Sequence, residues 1–290
     1  MNYIGVDLGG SHIGAGLVNE SGEILNKIEK DVCGEDTSET IVKSIVELIE
    51  KLETNLNENE IKYVGIGVPG LVYKDRIYTP NLPTKHFDLK GKLQKHISLP
   101  IYLENDANCA AIAEFLFGAI KGCNNAIVIT IGTSLGTGII INKTLYKGFQ
   151  GMAGELGWIR NETGIVFRKC GLKLFKEELK QELNLPKETK GKDIVEILLN
   201  KENNSANVTR IVNEYAESLS ILLYNAICIL SPEKIALGGS FVHYKDIFLD
   251  KIKNNGFIKG LEELDVKPEI DVARLKNDAG IIGAAMQRLV

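Results

Sequence analysis

The sequence predicts an α/β protein of two lobes facing a cleft, and three observations lead there. Two glycine-rich stretches, Ile4-Gly-Val-Asp-Leu-Gly-Gly-Ser11 and Ile129-Thr-Ile-Gly-Thr-Ser-Leu-Gly-Thr-Gly138, each follow an apolar β-branched strand and run straight into another. A β-β-β-α-β-α order surrounds the first stretch, and a related order begins again after residue 126, as a duplicated architecture would give. At 290 residues the chain is also longer than one hydrophobic core normally supports.

Residues 3–8, 12–18 and 23–30 read as three strands joined by tight turns, the second turn being Asn19-Glu-Ser-Gly22. Asp36 is placed to cap the next helix, with Glu39 at the reciprocal position. That helix carries Ile41, Ile45, Leu48, Ile49 and Leu52 at amphipathic spacing. A buried strand over 63–68 ends at Pro69-Gly70, and Tyr102-Leu103 closes another. An alanine-rich helix follows over 105–117, and the second hairpin module starts at Ala126. The charged stretch 175–192 reads as a solvated helical surface. A long amphipathic helix over 208–230 stops before Pro232. A strand over 234–237 runs into Gly238-Gly239-Ser240, and a small-residue helix over 279–289 follows. The lobes are expected at 1–117, joined by the helix 278–290, and at 118–277.

Composition excludes several functions. With 44% hydrophobic and 25% charged residues the chain is an ordinary globular protein, and a net charge of −4 gives no electrostatic reason to bind nucleic acid or a membrane surface. Cys33, Cys109, Cys123, Cys170 and Cys228 form no CxxC pair, which suits reduced thiols in the cytoplasm. The first residues enter a strand at once, so no signal peptide is expected. The longest apolar stretch, 219–230, is too short to span a bilayer.

The two glycine turns carry the chemistry. Glycine lets the backbone approach an anion closely, and successive exposed N–H groups form an anion nest. Two nests suggest a polyphosphate gripped from both sides, which makes ATP chemistry the leading expectation. Asp7, beside the first nest, could hold Mg²⁺ through water; alone it would equally suit a plain hairpin turn. In Glu104-Asn-Asp-Ala-Asn108, Asn105 or Asp106 could simply cap the helix, and equally Asp106 could be a base that takes a hydroxyl proton in phosphoryl transfer. Glu155 and Glu177 are candidate sugar ligands, although Glu177 lies in a charged run where most acids face water. Gly65-Ile-Gly-Val-Pro-Gly70 matches a dinucleotide fingerprint, yet it leads into the extended Leu71-Val-Tyr73 rather than a helix, and no Walker loop is present.

Together these residues resemble the ROK family of repressors and sugar kinases, within the actin-like (ribonuclease H-like) ATPase superfamily, two-lobed with a cleft between the lobes. The resemblance rests on Asp7-Leu-Gly-Gly-Ser11, Gly65-Ile-Gly-Val-Pro-Gly70, Pro80-Asn-Leu-Pro83, Glu104-Asn-Asp-Ala-Asn108, Gly132-Thr-Ser-Leu-Gly-Thr-Gly138, Gly151-Met-Ala-Gly-Glu-Leu-Gly157 and Leu237-Gly-Gly-Ser240. It implies ATP- and Mg²⁺-dependent phosphorylation of a hexose C6 hydroxyl, with Asp106 as base and Gly70, Asn81, Asn105, Asp106, Glu155 and Glu177 toward the sugar. Nucleotide contacts fall on Asp7, Gly9, Gly10, Ser11, His12, Gly132, Thr133, Gly238 and Gly239, and a homodimer is expected. Similarity to amino-sugar kinases favours N-acetylmannosamine, in sialic acid catabolism, over glucose.

Three departures from the family pattern matter. His12 stands where Lys is common, so less charge reaches the phosphates. At the positions of the family's structural zinc ligands stand Trp158, Arg168, Cys170 and Phe175, so no zinc is expected. Trp158 and Phe175 are expected to hold that loop by packing, Trp158 as a buried aromatic. Family repressors carry a helix-turn-helix domain ahead of the first strand, for which the residues before Asp7 leave no room, so a kinase is expected over a regulator.

Overall fold

The apolar runs flanking the first glycine turn form an antiparallel hairpin, β1 (Asn2–Leu8) and β2 (His12–Asn19), extended by β3 (Ile24–Asp31). This computed structural model describes residues 1–10, 12–32, 37–54, 60–79, 86–161, 164–165, 167–200 and 205–290. Helix α1 (Ser38–Glu53) buries Ile41, Ile45, Leu48, Ile49 and Leu52, the expected face. Its N-cap is Thr37, whose hydroxyl accepts from the Thr40 N–H at 3.3 Å, rather than Asp36, which lies outside the described residues. Strand β4 (Ile61–Val68) pairs in parallel with β1. A small antiparallel sheet follows, β5 (Leu71–Tyr73), β6 (Arg76–Tyr78) and β7 (His86–Phe87), and then helix α2 (Leu89–Leu93). Strand β8 (Ile101–Asn105), parallel to β4, leads directly into α3 (Asp106–Phe117). The first large sheet therefore runs β3-β2-β1-β4-β8.

The second module repeats this order. Strands β9 (Ala126–Ile131), β10 (Leu135–Ile141) and β11 (Thr144–Leu145) follow the pattern of β1 to β3. After a short hairpin, β12 (Arg160–Asn161) and β13 (Gly164–Ile165), come helices α4 (Phe167–Cys170), α5 (Leu172–Glu182), α6 (Gly191–Leu199) and α7 (Ala206–Leu230). Strand β14 (Lys234–Gly238), helices α8 (Lys245–Lys253) and α9 (Gly256–Gly260) and strand β15 (Glu269–Val272) complete it. The sheet order β11-β10-β9-β14-β15 matches the first position by position. The stretch 175–192 is not a uniform solvated surface. Leu172, Phe175 and Leu179 of α5 recur at helical spacing and are buried, and only the opposite face meets water.

The chain divides into two compact units: Met1–Gly122 with Gly138–Ala153 and Asn277–Val290, and Cys123–Thr137 with Gly154–Lys276. Each has its own hydrophobic core. The core of the second unit centres on Phe175, stacked on Tyr215 with ring centroids 4.6 Å apart and edge-on to Phe248 at 5.2 Å.

The last helix, α10 (Ala279–Met286), ends three residues earlier than expected and packs within the first unit. Its backbone touches other backbones, which only glycine permits. A Cβ on Gly5 would meet the Ile281 carbonyl, one on Gly65 the Ala284 carbonyl, and one on Gly283 the Cys109 carbonyl of α3. The Tyr63 hydroxyl seals this contact by donating to Ala285 O at 2.6 Å.

Candidate functional site

In the first unit the site grows from the C-terminal ends of parallel strands, where an open α/β sheet presents its ligands. Asp7 ends β1, in register with Gly67 of β4, and Gly67 faces the Cys109 sulfur. A Cβ on Gly280 of α10 would stand 2.6 Å from Asp7 Cγ, so the helix backbone walls in this carboxylate. Burial therefore raises the Asp7 pKa above its ordinary value, while His12 and Lys27 pull it down. Among the described residues no hydrogen bond reaches the Asp7 carboxylate. A half-buried, oxygen-only donor of this kind fits a hard cation such as Mg²⁺.

The turn beside it is closed by Gly9 N–H donating to His12 O at 2.9 Å, with the His12 ring folded back over Gly9. Gly10 has open space where a side chain would be and no positive φ, so nothing in the fold itself demands glycine there. Ser11 lies outside the described residues.

Asp106 occupies the first turn of α3, exposed, its Oδ1 accepting from the Ala107 N–H at 2.8 Å. The cap is Asn105: its Oδ1 accepts from Asn108 N–H at 3.0 Å. The same side chain donates through Nδ2 to Gly70 O at 3.0 Å, so two expected sugar-facing residues are joined. Asn81, a third, lies outside the described residues. Cys109, one turn into α3, reports how close the acids are. Burial holds its thiol well above the ordinary range, and Glu104, Asp7 and Asp106 add to that while Lys147 opposes it.

Sequence reasoning passed over Glu104 and Lys147. Glu104 is buried at 5% exposure, accepting from Asn105 N–H and Asn108 Nδ2, each at 2.9 Å, and pairing with Lys147 Nζ at 2.9 Å. The acid stands in a quoted motif, but no local pattern announces a lysine so far along the chain.

The second unit carries the other expected residues. Gly132 closes the β9–β10 turn by donating to Ser134 O at 2.9 Å, and its carbonyl accepts from Leu172 N–H at 2.8 Å. Like Gly10 it has open space where a Cβ would project and no positive φ, and Thr133 beside it is exposed. Gly238 pairs with Thr130, and Gly239, with φ of 65°, lies 2.9 Å from Ile131 O at its missing Cβ, so both border the same turn. An open glycine turn of this kind, a cradle that a Cβ would fill, fits a phosphate group. Glu155 is half-buried, and burial raises its pKa. Glu177 is exposed on α5.

The residues at the zinc positions do not fit zinc. Phe175 is core, and Trp158 is 53% exposed rather than the buried aromatic expected, so Phe175 does the holding. Cys170 is buried, its Sγ donating to Ser218 O at 3.5 Å, and burial pushes its pKa to about 12, whereas zinc takes a thiolate. The Arg168 side chain lies outside the described residues. Among those described, no group of three His, Cys, Asp or Glu could hold a metal ion, and no helix is long and apolar enough to cross a membrane.

Against known proteins, the profile of the ROK family matches residues 3–288. A glucokinase of Halalkalibacterium halodurans is 30% identical over 97% of this chain and 93% of its own length. A xylose repressor of Bacillus subtilis is 27% identical over 97% of this chain and 75% of its own. Among solved structures, a ROK family glucokinase from Streptomyces griseus in complex with glucose and AMPPNP superposes with a TM-score of 0.79 at 28% identity, each chain wholly covered. A Listeria monocytogenes protein proposed to be an N-acetylmannosamine kinase gives 0.81 at 26% identity, over 100% of this chain and 99% of its own.

Proposed function

Because the chain belongs to the ROK family, we propose that it is an ATP-dependent sugar kinase that phosphorylates the C6 hydroxyl of a hexose. The observation that carries this reading is that Asp7, beside an open glycine turn, is in register with Gly67, whose missing Cβ would stand 3.2 Å from the Cys109 sulfur, while Asp106 lies one turn before Cys109 on α3.

In this reading the backbone N–H groups of Gly9, Gly10 and Ser11, and those of Gly132 and Thr133, bind the phosphates. His12 adds an imidazole N–H, and the Gly238-Gly239 backbone faces the adenosine. Gly70, Asn81, Asn105, Glu155 and Glu177 orient the sugar by accepting from and donating to its hydroxyls. Asp106 takes the proton of the C6 hydroxyl as its oxygen attacks the γ-phosphorus; positioning matters more here than base strength. Mg²⁺, when bound, neutralises charge on the transferring phosphoryl group, and Asp7 would hold it through water. Structural zinc has no part in the reading. A cytoplasmic homodimer completes it.

For the sugar, similarity to glucokinases supports glucose as the first candidate, ahead of the N-acetylmannosamine that the sequence alone favours. The Listeria neighbour keeps N-acetylmannosamine, and with it a role in sialic acid catabolism, as the second candidate. A coupled ADP-release assay with glucose, N-acetylmannosamine, N-acetylglucosamine, fructose and mannose decides between them. No ADP release with any of the five refutes the kinase. The repressor relatives favour one other reading, a sugar-sensing regulator. Sequence-selective DNA retention in a gel shift, with no ADP release, is its signature.

A further inference from the structure

The ion pair of Glu104 and Lys147 joins a buried carboxylate to an exposed lysine. Glu104 is nearly inaccessible while its lysine is half-exposed, at side-chain exposures of 6% and 51%. Glu104 must shed its water to sit there, so the donors gathered around it compensate a desolvated charge. Their geometry is therefore informative about orientation.

Two polar groups at the start of α3 are tied to this carboxylate. One oxygen of Glu104 receives both the backbone N–H of Asn105 and the side-chain amide of Asn108. The other receives Lys147 alone. Asn105 in turn caps the helix and donates to Gly70 O, so its side chain has no rotational freedom left. Asp106 follows immediately and inherits that backbone geometry. Lys147 itself opens a loop closed by Ala153 N–H donating to Lys147 O at 3.2 Å, two residues before Glu155 in the chain.

We propose that Lys147 is a positioning residue. Through Glu104 it sets the orientation of Asn105 and Asp106 toward the sugar, and it anchors to that turn the loop that leads to Glu155. The proposal rests on the sugar-kinase reading. Without the ammonium, Glu104 is left buried with neutral donors only, and the shared turn relaxes around it.

The test is steady-state kinetics of Lys147→Met, Lys147→Arg, Glu104→Gln and the Lys147→Met/Glu104→Gln double variant, on the hexose the wild type turns over, beside thermal melts. Lys147→Met is expected to raise the sugar KM and lower kcat, each about tenfold, because a small misplacement of oriented groups is amplified in rate. The ATP KM should stay within about twofold, since the phosphate turns are untouched, and the melting temperature within a few degrees. Lys147→Arg should recover most of the loss, and the double variant should be no worse than the worse single one. A Lys147→Met protein that melts lower yet keeps both kinetic parameters overturns the proposal. So does a loss that appears in the ATP KM instead, or one that arginine fails to restore. Failure of the underlying reading shows earlier and separately, in a folded wild type that phosphorylates no hexose.

Discussion

Gly10→Ala separates a glycine kept for the fold from one kept for a ligand. Among the described residues no atom lies within 4 Å of the place a Gly10 Cβ would take, and its φ is not in the left-handed region. Alanine should therefore fit the free protein, and by narrowing the unfolded ensemble it should stabilise by about 0.4–1 kcal/mol. The melting temperature then stays level or rises by a few degrees. Catalysis should respond in the opposite way. A methyl group at that point keeps a phosphate from the turn's N–H groups, and a charge-assisted hydrogen bond is worth about 1.5–3 kcal/mol. That corresponds to about a ten- to hundredfold rise in the ATP KM. Gly283→Ala is the control, since its Cβ would stand 2.8 Å from Cys109 Cα and overlap the neighbouring carbonyl. Overpacking of this kind costs about 1–3 kcal/mol, so it should lower the melting temperature by several degrees. Ligand-free melts and an ADP-release titration in ATP measure both variants. A Gly10→Ala enzyme with an unchanged ATP KM, or one that melts as early as Gly283→Ala, refutes the phosphate cradle.

Three further outcomes are expected. Asp106→Asn should lose about 10²- to 10⁴-fold in kcat, the usual share of a general base, with sugar and ATP KM nearly unchanged; near-normal turnover rules Asp106 out as the base. Burial raises the Asp7 pKa, so the fold favours its neutral form. Well below the ordinary value of 3.8 Asp7 is neutral folded and unfolded alike; above it the unfolded chain ionises first, and the penalty grows until pH has passed the raised folded pKa. Asp7→Asn should accordingly melt above the wild type at neutral pH, with a gap that closes toward acid, and should lose activity. A gap independent of pH contradicts the burial argument. Phe175→Ala should cost about 3–5 kcal/mol by emptying the aromatic cluster, whereas a chelator should leave the wild-type melt unchanged; a chelator-induced drop would establish a structural metal.

The parts of the fold legible in the sequence are those written in short-range pattern. The glycine turns between β-branched runs located both hairpins, and the repeated order anticipated two sheets with matching strand sequence. The 3.6-residue spacing of Ile41, Ile45, Leu48 and Leu52 marked the buried face of α1. Charge density concealed the same spacing in α5, where lysines and glutamates surround Leu172, Phe175 and Leu179. At the site, Asp7, Asn105 and Asp106 could be read from strand ends and caps. The Glu104–Lys147 pair could not, because it joins residues 43 positions apart and leaves no periodic trace. Trp158 was misjudged for a related reason: an aromatic in place of a metal ligand suggests a buried staple, and Phe175 already fills that place.

The seating of α10 has a consequence for how the polypeptide matures. Its backbone lies against Gly5 of β1 and Gly65 of β4, so a sheet whose first strands are made early waits for a helix that follows far later in the chain. Synthesis takes tens of seconds at ordinary elongation rates, and throughout that interval the nascent N-terminal sheet keeps one apolar side bare. The second unit, drawn from one long contiguous span and a short strand pair just before it, can consolidate meanwhile. Chaperone capture during translation should accordingly fall on the N-terminal half and end with release.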